Sequence, residues 1–317
     1  MPLRSLLLGL SVTVIWGFNF SFIKVAEDGF HPFLLATLRF VLTVIPAIFF
    51  FPRPKVPFKL VLAYGFVFGA LQFGLLFAGI AAGLSAGLSS VVLQLQVFFT
   101  ILLGVLLMKE HIKPWQIAGV VLGFSGVAVT GLVQDGSVTI AGLLLVAGAG
   151  LSWGLANVIV KKAKPADPVG FMVWASTVPV VPLAIVTVLV EGTDSVRTSF
   201  SHLSWGIAGA VLYLVYPTTL FGYSVWNGLL RRYPTSLVAP LTLLVPFFGM
   251  AGSMLIFGEE LTVLKVLAAC LMILGLCVNQ FAGRFGAKPA PAAAPATEPA
   301  ISVATLSDSA EHTGDGR

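Results

Sequence analysis

Val14-Ile15-Trp16-Gly17-Phe18-Asn19-Phe20-Ser21-Phe22-Ile23-Lys24 is an apolar run holding a tryptophan-glycine pair, one amide and a terminal lysine. It returns 137 residues on as Leu151-Ser152-Trp153-Gly154-Leu155-Ala156-Asn157-Val158-Ile159-Val160-Lys161. Further along, matches lie 149 residues apart: Tyr64 with Tyr213, Phe98-Phe99 with Phe247-Phe248, Glu110 with Glu259, and Gly126 with Gly275. The twelve extra residues fit a polar loop from Glu191 to Ser204. Self-similarity at a fixed distance is the mark of an internal repeat.

The chain around these runs is too apolar for water. Of 317 residues 57% are hydrophobic and 10% charged, with a mean hydropathy of +0.99, whereas soluble domains carry about 25% charged residues. Spans of about 20 apolar residues divide it into ten segments, near 6–25, 33–51, 60–81, 86–108, 114–133, 139–160, 169–190, 204–227, 235–257 and 263–282. No room is left for a soluble catalytic domain. The apolar run from Leu6 to Ile23 follows Arg4 as a signal peptide would, but it is long and lacks an Ala-x-Ala site, so it reads as a retained first helix.

Residues 285–317, rich in Ala, Pro, Ser and acidic side chains, read as a disordered cytoplasmic tail. With the N-terminus inside, Arg4, Arg53, Lys55, Lys59, Lys109, Lys113, Lys161, Lys162, Lys164, Arg231, Arg232, Arg284, Lys288 and Arg317 face the cytoplasm. Only Lys24, Arg197 and Lys265 face outward, and Arg39 lies within a helix. That asymmetry follows the positive-inside rule and places both termini in the cytoplasm. Basic residues scattered at span ends account for the net charge of +5, and nucleic acid is not expected as a partner.

Five spans per repeat is an odd number, so the second copy enters the membrane upside down. The expected fold is therefore an all-α polytopic membrane protein, with ten transmembrane helices as two inverted five-helix repeats, residues 1–136 and 137–284. Such halves enclose a pathway opened alternately to each side, which points to transport.

Trp16-Gly17-x-Asn19-Phe20 with Lys24, then Pro32, Arg39, and Glu110 followed by Gln116 and Gly119, resemble the EamA-type ten-helix members of the drug/metabolite transporter superfamily. A finer likeness, to the exporters of O-acetylserine and cysteine, rests on several stretches. They are Ile23-Lys24-Val25, Arg53-Pro54-Lys55-Val56-Pro57, Val92-Leu93-Gln94-Leu95-Gln96 with Phe98-Phe99-Thr100, and Val238-Ala239-Pro240-Leu241 with Leu244-Val245-Pro246. The resemblance implies efflux of amino-acid metabolites through the bacterial cytoplasmic (inner) membrane. Many relatives carry Pro or Glu near Gln96, so the chemistry of that stretch differs here.

Polar groups in hydrocarbon are costly and mark function or helix contacts. Arg39, two turns into the second helix, pairs with Glu27 or Asp28, binds a substrate carboxylate, or snorkels to head groups. Lys24 complements a carboxylate or anchors its helix; Asn19 and Asn157 line the pathway or bond between helices. Gln94 and Gln96 lie about 200° apart on a helix, so at most one faces a narrow pathway, with Thr100 on the side of Gln96. Tyr216, Thr219, Tyr223 and Asn227 share one stripe of the eighth helix. Pro240 and Pro246 are candidates for an interrupted ninth helix, and Trp226 for the interfacial belt.

Glu110 and Glu259 are candidate proton relays, or partners of Lys109 and Lys265. No P-loop or His-Glu-x-x-His motif occurs, and Cys270 and Cys277 read as packing residues, so neither metal nor cofactor is expected. The partners expected are membrane lipid and a small zwitterionic metabolite such as cysteine or O-acetylserine; no oligomeric state is legible. The alternatives are a transporter of another amino acid or a hydrophobic cation, and a membrane-embedded enzyme, whose mark would be clustered His, Asp or Glu at one face.

Overall fold

Hydrocarbon offers no partner to a backbone amide, so an apolar chain satisfies its N–H and C=O groups within helices. The computed structural model describes residues 1–285 except His202 and Pro234, and the expected tail beyond Phe285 lies outside the described residues. Among the described residues there is no strand. Eight helices are long and apolar enough to cross a membrane: α1 (Leu3–Glu27), α3 (Phe58–Ala81), α4 (Ala86–Met108), α6 (Ile140–Ala163), α7 (Pro168–Glu191), α8 (Trp205–Leu229), α9 (Ala239–Phe257) and α10 (Val263–Phe281). Two further apolar helices, α2 (Pro32–Ala47) and α5 (Pro114–Thr130), are shorter, at 16 and 17 residues.

Local chemistry sets the boundaries. Proline at the first position, where no N–H is needed, opens α2, α5 and α7. Side-chain oxygens of Ser85, Thr139, Asp167 and Ser204 accept from the first-turn amides of α4, α6, α7 and α8. The Glu191 carboxylate, at the end of α7, accepts from the amides of Phe33 (2.7 Å) and Leu34 (3.1 Å) and so closes the positive end of α2. The loop expected between Glu191 and Ser204 instead holds a short helix, Thr193–Ser201. Its Val196 packs on the core and its Phe200 meets Phe30 edge-on at 5.4 Å, contacts that a polar sequence alone does not announce.

Five of the long helices are interrupted, α7 at residues 176–179 and in a π-helical turn at Thr187–Glu191, and in the other four the interruptions correspond across the repeat. π-helical turns occupy Gly65–Phe73 in α3 and Tyr216–Phe221 in α8, and the second lies 149 residues beyond part of the first. The helical pattern of α4 breaks at Leu93 and Gln94. The matched stretch of α9, Ala239–Leu244, is wound as a tighter 3₁₀ helix with Pro240 in its first turn. Wide turns of this kind commonly occur at functional sites.

Packing obeys the same offsets. α1 lies on α9 and α8, α6 on α4 and α3, and α5 on α10. A Cβ on Gly17 would stand 2.4 Å from Phe248 Cβ, and one on Gly154 would stand 2.9 Å from Phe99 Cβ. Shifting the first contact by the two offsets gives the second. Gly119 faces the Gly275 carbonyl and Gly126 that of Ala268, again related by 149 residues. These close approaches place aromatic rings and polar groups from both halves around one interior space.

Candidate functional site

That space is a cavity of about 100 Å³, room for a compact solute and short of the ~300 Å³ at which drug-sized pockets begin. It is lined from α1 by Trp16, Asn19 and Phe20, from α2 by Arg39, from α3 by Gln72, Phe73 and Leu76, and from α4 by Leu93, Gln94 and Gln96. Trp153 of α6, Thr218 and Tyr223 of α8, and Thr242 and Val245 of α9 complete the wall. Each of the four matched interruptions, in α3, α4, α8 and α9, supplies a lining residue, as expected where irregular backbone at membrane depth lines a cavity.

Arg39 is the only charged residue in this lining and is 3% exposed. Its Nη1 donates to Asn19 Oδ1 at 3.3 Å, its Nη2 donates to Thr219 Oγ1 at 3.1 Å, and the guanidinium lies 4.4 Å from the centre of the Phe73 ring. All three partners are neutral. A buried cation held by dipoles and a ring, with no carboxylate, retains the capacity to take an anion from the cavity. Neither Glu27 nor Asp28, the partners considered from sequence, reaches it: Glu27 Oε2 lies 3.7 Å from Lys24 Nζ.

Around the guanidinium the walls are amides and rings. Asn157 Nδ2 donates to Gln96 Oε1 (2.9 Å) and Thr100 Oγ1 (3.0 Å), tying α6 to α4. Gln94 Nε2 donates to the Thr242 carbonyl at 3.5 Å. Trp16 Nε1 donates to the Thr218 carbonyl in the π-helical turn at 3.0 Å, and its ring lies 5.2 Å from both Tyr223 and Trp226. Gln72 is 2% exposed, and its Oε1 has no hydrogen-bond partner.

Of the residues singled out by sequence, Asn19, Arg39, Gln94, Gln96 and Tyr223 meet at this cavity, and Asn157 stands behind Gln96. Gln94 and Gln96 both line it, contrary to the expectation for a continuous helix, because α4 breaks between Val92 and Leu95. The tyrosine stripe is split. Tyr216 is 47% exposed and outside the cavity, since the π-helical turn changes the angular step between it and Tyr223. Asn227 lines a separate hollow with Asp167 and Ser224.

Lys24 also lies outside the cavity, paired with Glu27. Glu110 pairs with Lys161, and Glu259 is held by Ser253 and by Lys265 (2.9 Å), all away from the cavity. Sequence reasoning missed Gln72, Thr218 and Thr242. Gln72 carried the same signal as Gln94, an amide in an apolar run, and Thr218 follows a proline within a span.

Against known proteins, the profile of the EamA-like transporter family matches twice, at residues 3–132 and 140–280. A protein of Salmonella typhimurium strain LT2, named probable amino-acid metabolite efflux pump, is 39% identical over 283 residues, covering 87% of this chain and 95% of its own. One of the same name from Escherichia coli K12 is 39% identical over 287 residues, covering 88% and 95%. A solved crystal structure, 17% identical, superposes with a TM-score of 0.61 over 89% of this chain and 98% of that one, a likeness of fold alone. With a doubly matched family profile and long apolar helices, the chain is a multi-pass membrane protein belonging to the EamA-like transporter family.

Proposed function

We propose that this protein is a secondary transporter that exports small amino-acid metabolites, cysteine and O-acetylserine among them, across a bacterial cytoplasmic membrane by alternating access. The observation that carries the reading is the lone buried Arg39 guanidinium, which faces a compact cavity and has only neutral partners. Such a group binds a carboxylate with two parallel donors and repels a cation. The name borne by the 39%-identical relatives supports the same substrate class.

In this reading all ten apolar helices cross the bilayer, α2 and α5 included, as two inverted five-helix repeats with both termini in the cytoplasm. The matched interruptions and the matched glycine contacts support a two-fold arrangement, and the distribution of Lys and Arg supports its orientation. The cavity between the halves is then reached from each face in turn. The single charge in the lining is positive, which disfavours a hydrophobic cation as substrate.

Counterflow in proteoliposomes with labelled cysteine, O-acetylserine, threonine and a hydrophobic cation tests the reading. Exchange of the first two is expected; movement of the cation alone would overturn it. Separate Glu110→Gln and Glu259→Gln variants with unchanged pH dependence of exchange would remove both carboxylates from any proton relay.

A further inference from the structure

The ends of the matched helices are alike in backbone and unlike in partners. Lys161, in the last turn of α6, pairs with Glu110, just beyond the end of α4. Glu110 belongs to the first profile-matched half and Lys161 to the second, so the pair fastens one half to the other. The repeat offsets map it onto Lys24, in the last turn of α1, and Glu259, just beyond the end of α9. Each lysine lies seven residues past its tight glycine contact, Gly154 or Gly17. Each glutamate lies eleven past the aromatic residue which that glycine meets, Phe99 or Phe248. The turns match as well: Lys109 (φ 56°, ψ 35°) and Gly258 (φ 65°, ψ 24°) both end their helix in the left-handed conformation and present the glutamate that follows.

Lys24 and Glu259 are nonetheless not paired with each other. Lys24 is engaged by Glu27 at 3.7 Å. Glu259 accepts from Ser253 and pairs with Lys265 (2.9 Å), a buried side chain that also holds Asp135 (2.8 Å) and the Glu260 carbonyl (3.0 Å). These competitors belong to one end only. The positions matching Glu27, Ser253 and Lys265 are Lys164, Gly104 and Gln116. Lys164 offers no carboxylate. Gly104 offers no hydroxyl, and a Cβ there would stand 2.9 Å from Glu110 Oε2. Gln116 is turned onto its own helix, accepting from the Lys113 amide at 2.9 Å.

We propose that the two lysine–glutamate pairs are alternating latches. Lys161–Glu110 closes one end in this conformation, and Lys24–Glu259 closes the other when the halves rock. Glu27, Ser253 and Lys265 weaken the second latch, so the resting population keeps the Lys161–Glu110 end shut, the cytoplasmic end in the orientation proposed above. The latch rests on the export reading, because a pathway opened to each face in turn needs a closure at each end. Lys161 and Glu110 are 56% and 42% exposed, and a pair so wet is worth too little to trap either state.

The experiment uses the full chain in proteoliposomes, with Cys270 and Cys277 replaced by Ala. Lys24→Cys with Glu259→Cys reports approach at one end, through the rate of bridging by a short bifunctional thiol reagent. Thr242→Cys reports from which side a membrane-impermeant thiol reagent enters the cavity. Glu110→Gln is expected to raise both the bridging rate and the labelling from the Lys161 side about two- to fivefold, the worth of one exposed ion pair. Lys161→Glu with Glu110→Lys is expected to return both to their starting values. Glu27→Gln, which frees Lys24, is expected to shift labelling in the same direction as Glu110→Gln, and adding Lys265→Gln to shift it further. Either readout ignoring Glu110→Gln, the charge exchange failing to restore it in folded protein, or Glu27→Gln shifting labelling the other way would overturn the latch and leave the export reading intact. Labelling from one side in every variant, with substrate exchange still running, would overturn alternating access as well.

Discussion

Arg39 is the residue on which the chemistry turns. Its partners Asn19, Thr219 and Phe73 stabilise the cation without neutralising it. A hydrogen bond to a charged group is worth about 1.5–3 kcal/mol, so Arg39→Gln is expected to slow exchange of carboxylate substrates about 10- to 100-fold in counterflow, with the protein still folded. Arg39→Lys keeps the charge but not the planar fork and is expected to fall between. Outside the membrane segments, burial alone would raise the carboxyl of Asp135, but hydrogen bonds from Lys265 and Ser137 outweigh it and hold the group down to about 2. A carboxyl lowered on folding stabilises above its ordinary range and ceases to do so as pH falls through its folded value. The melting temperature of Asp135→Asn is therefore expected below that of the native protein at pH 4 and above, with the gap closing toward pH 2. Arg39 and Asn19 were legible in sequence because polar groups in apolar runs announce themselves. Their mutual pairing was not, since it depends on how α1 and α2 face each other.

At the scale of single elements, segment positions followed from hydropathy, and what hydropathy omitted was the winding within them. A constant angular step per residue predicted one stripe through Tyr216 and Tyr223 and opposed faces for Gln94 and Gln96; the π-helical turn in α8 and the break in α4 defeat both. Pro217 and Pro240 flag two of the interruptions. Those in α3 and α4 carry no proline, and in α3 Gly65 and Gly69 sit against Val178 and Pro179 of α7. The glycines also make the α5–α10 contact testable. A Cβ on Gly275 would lie 2.7 Å from the Gly119 carbonyl oxygen and 2.9 Å from the Gly123 amide nitrogen, both backbone atoms that cannot rotate aside. Gly275→Ala is expected to destabilise the protein by about 1–3 kcal/mol, the usual cost of overpacking, seen as a lowered melting temperature in detergent. Gly209, with nothing within 4 Å of such a Cβ, is expected to accept Ala without loss.

For the whole molecule, two similar halves matter because neither surrounds a solute alone. The cavity draws on α1, α2, α3 and α4 from one half and α6, α8 and α9 from the other, and contacts such as Gly17 on Phe248 and Gly154 on Phe99 bind the halves crosswise. In the opposed orientation proposed above, matched contacts lie at opposite ends of the cavity and can form in turn. The most direct measurement is the sidedness of two matched exposed positions, His111 and Glu260, 149 residues apart. Each is replaced singly by Cys in the background with Cys270 and Cys277 changed to Ala, and labelled with an impermeant thiol reagent in intact cells and in inverted vesicles. Opposed halves predict labelling of Glu260→Cys in intact cells and of His111→Cys only in inverted vesicles; both positions labelled from the same side would contradict the account.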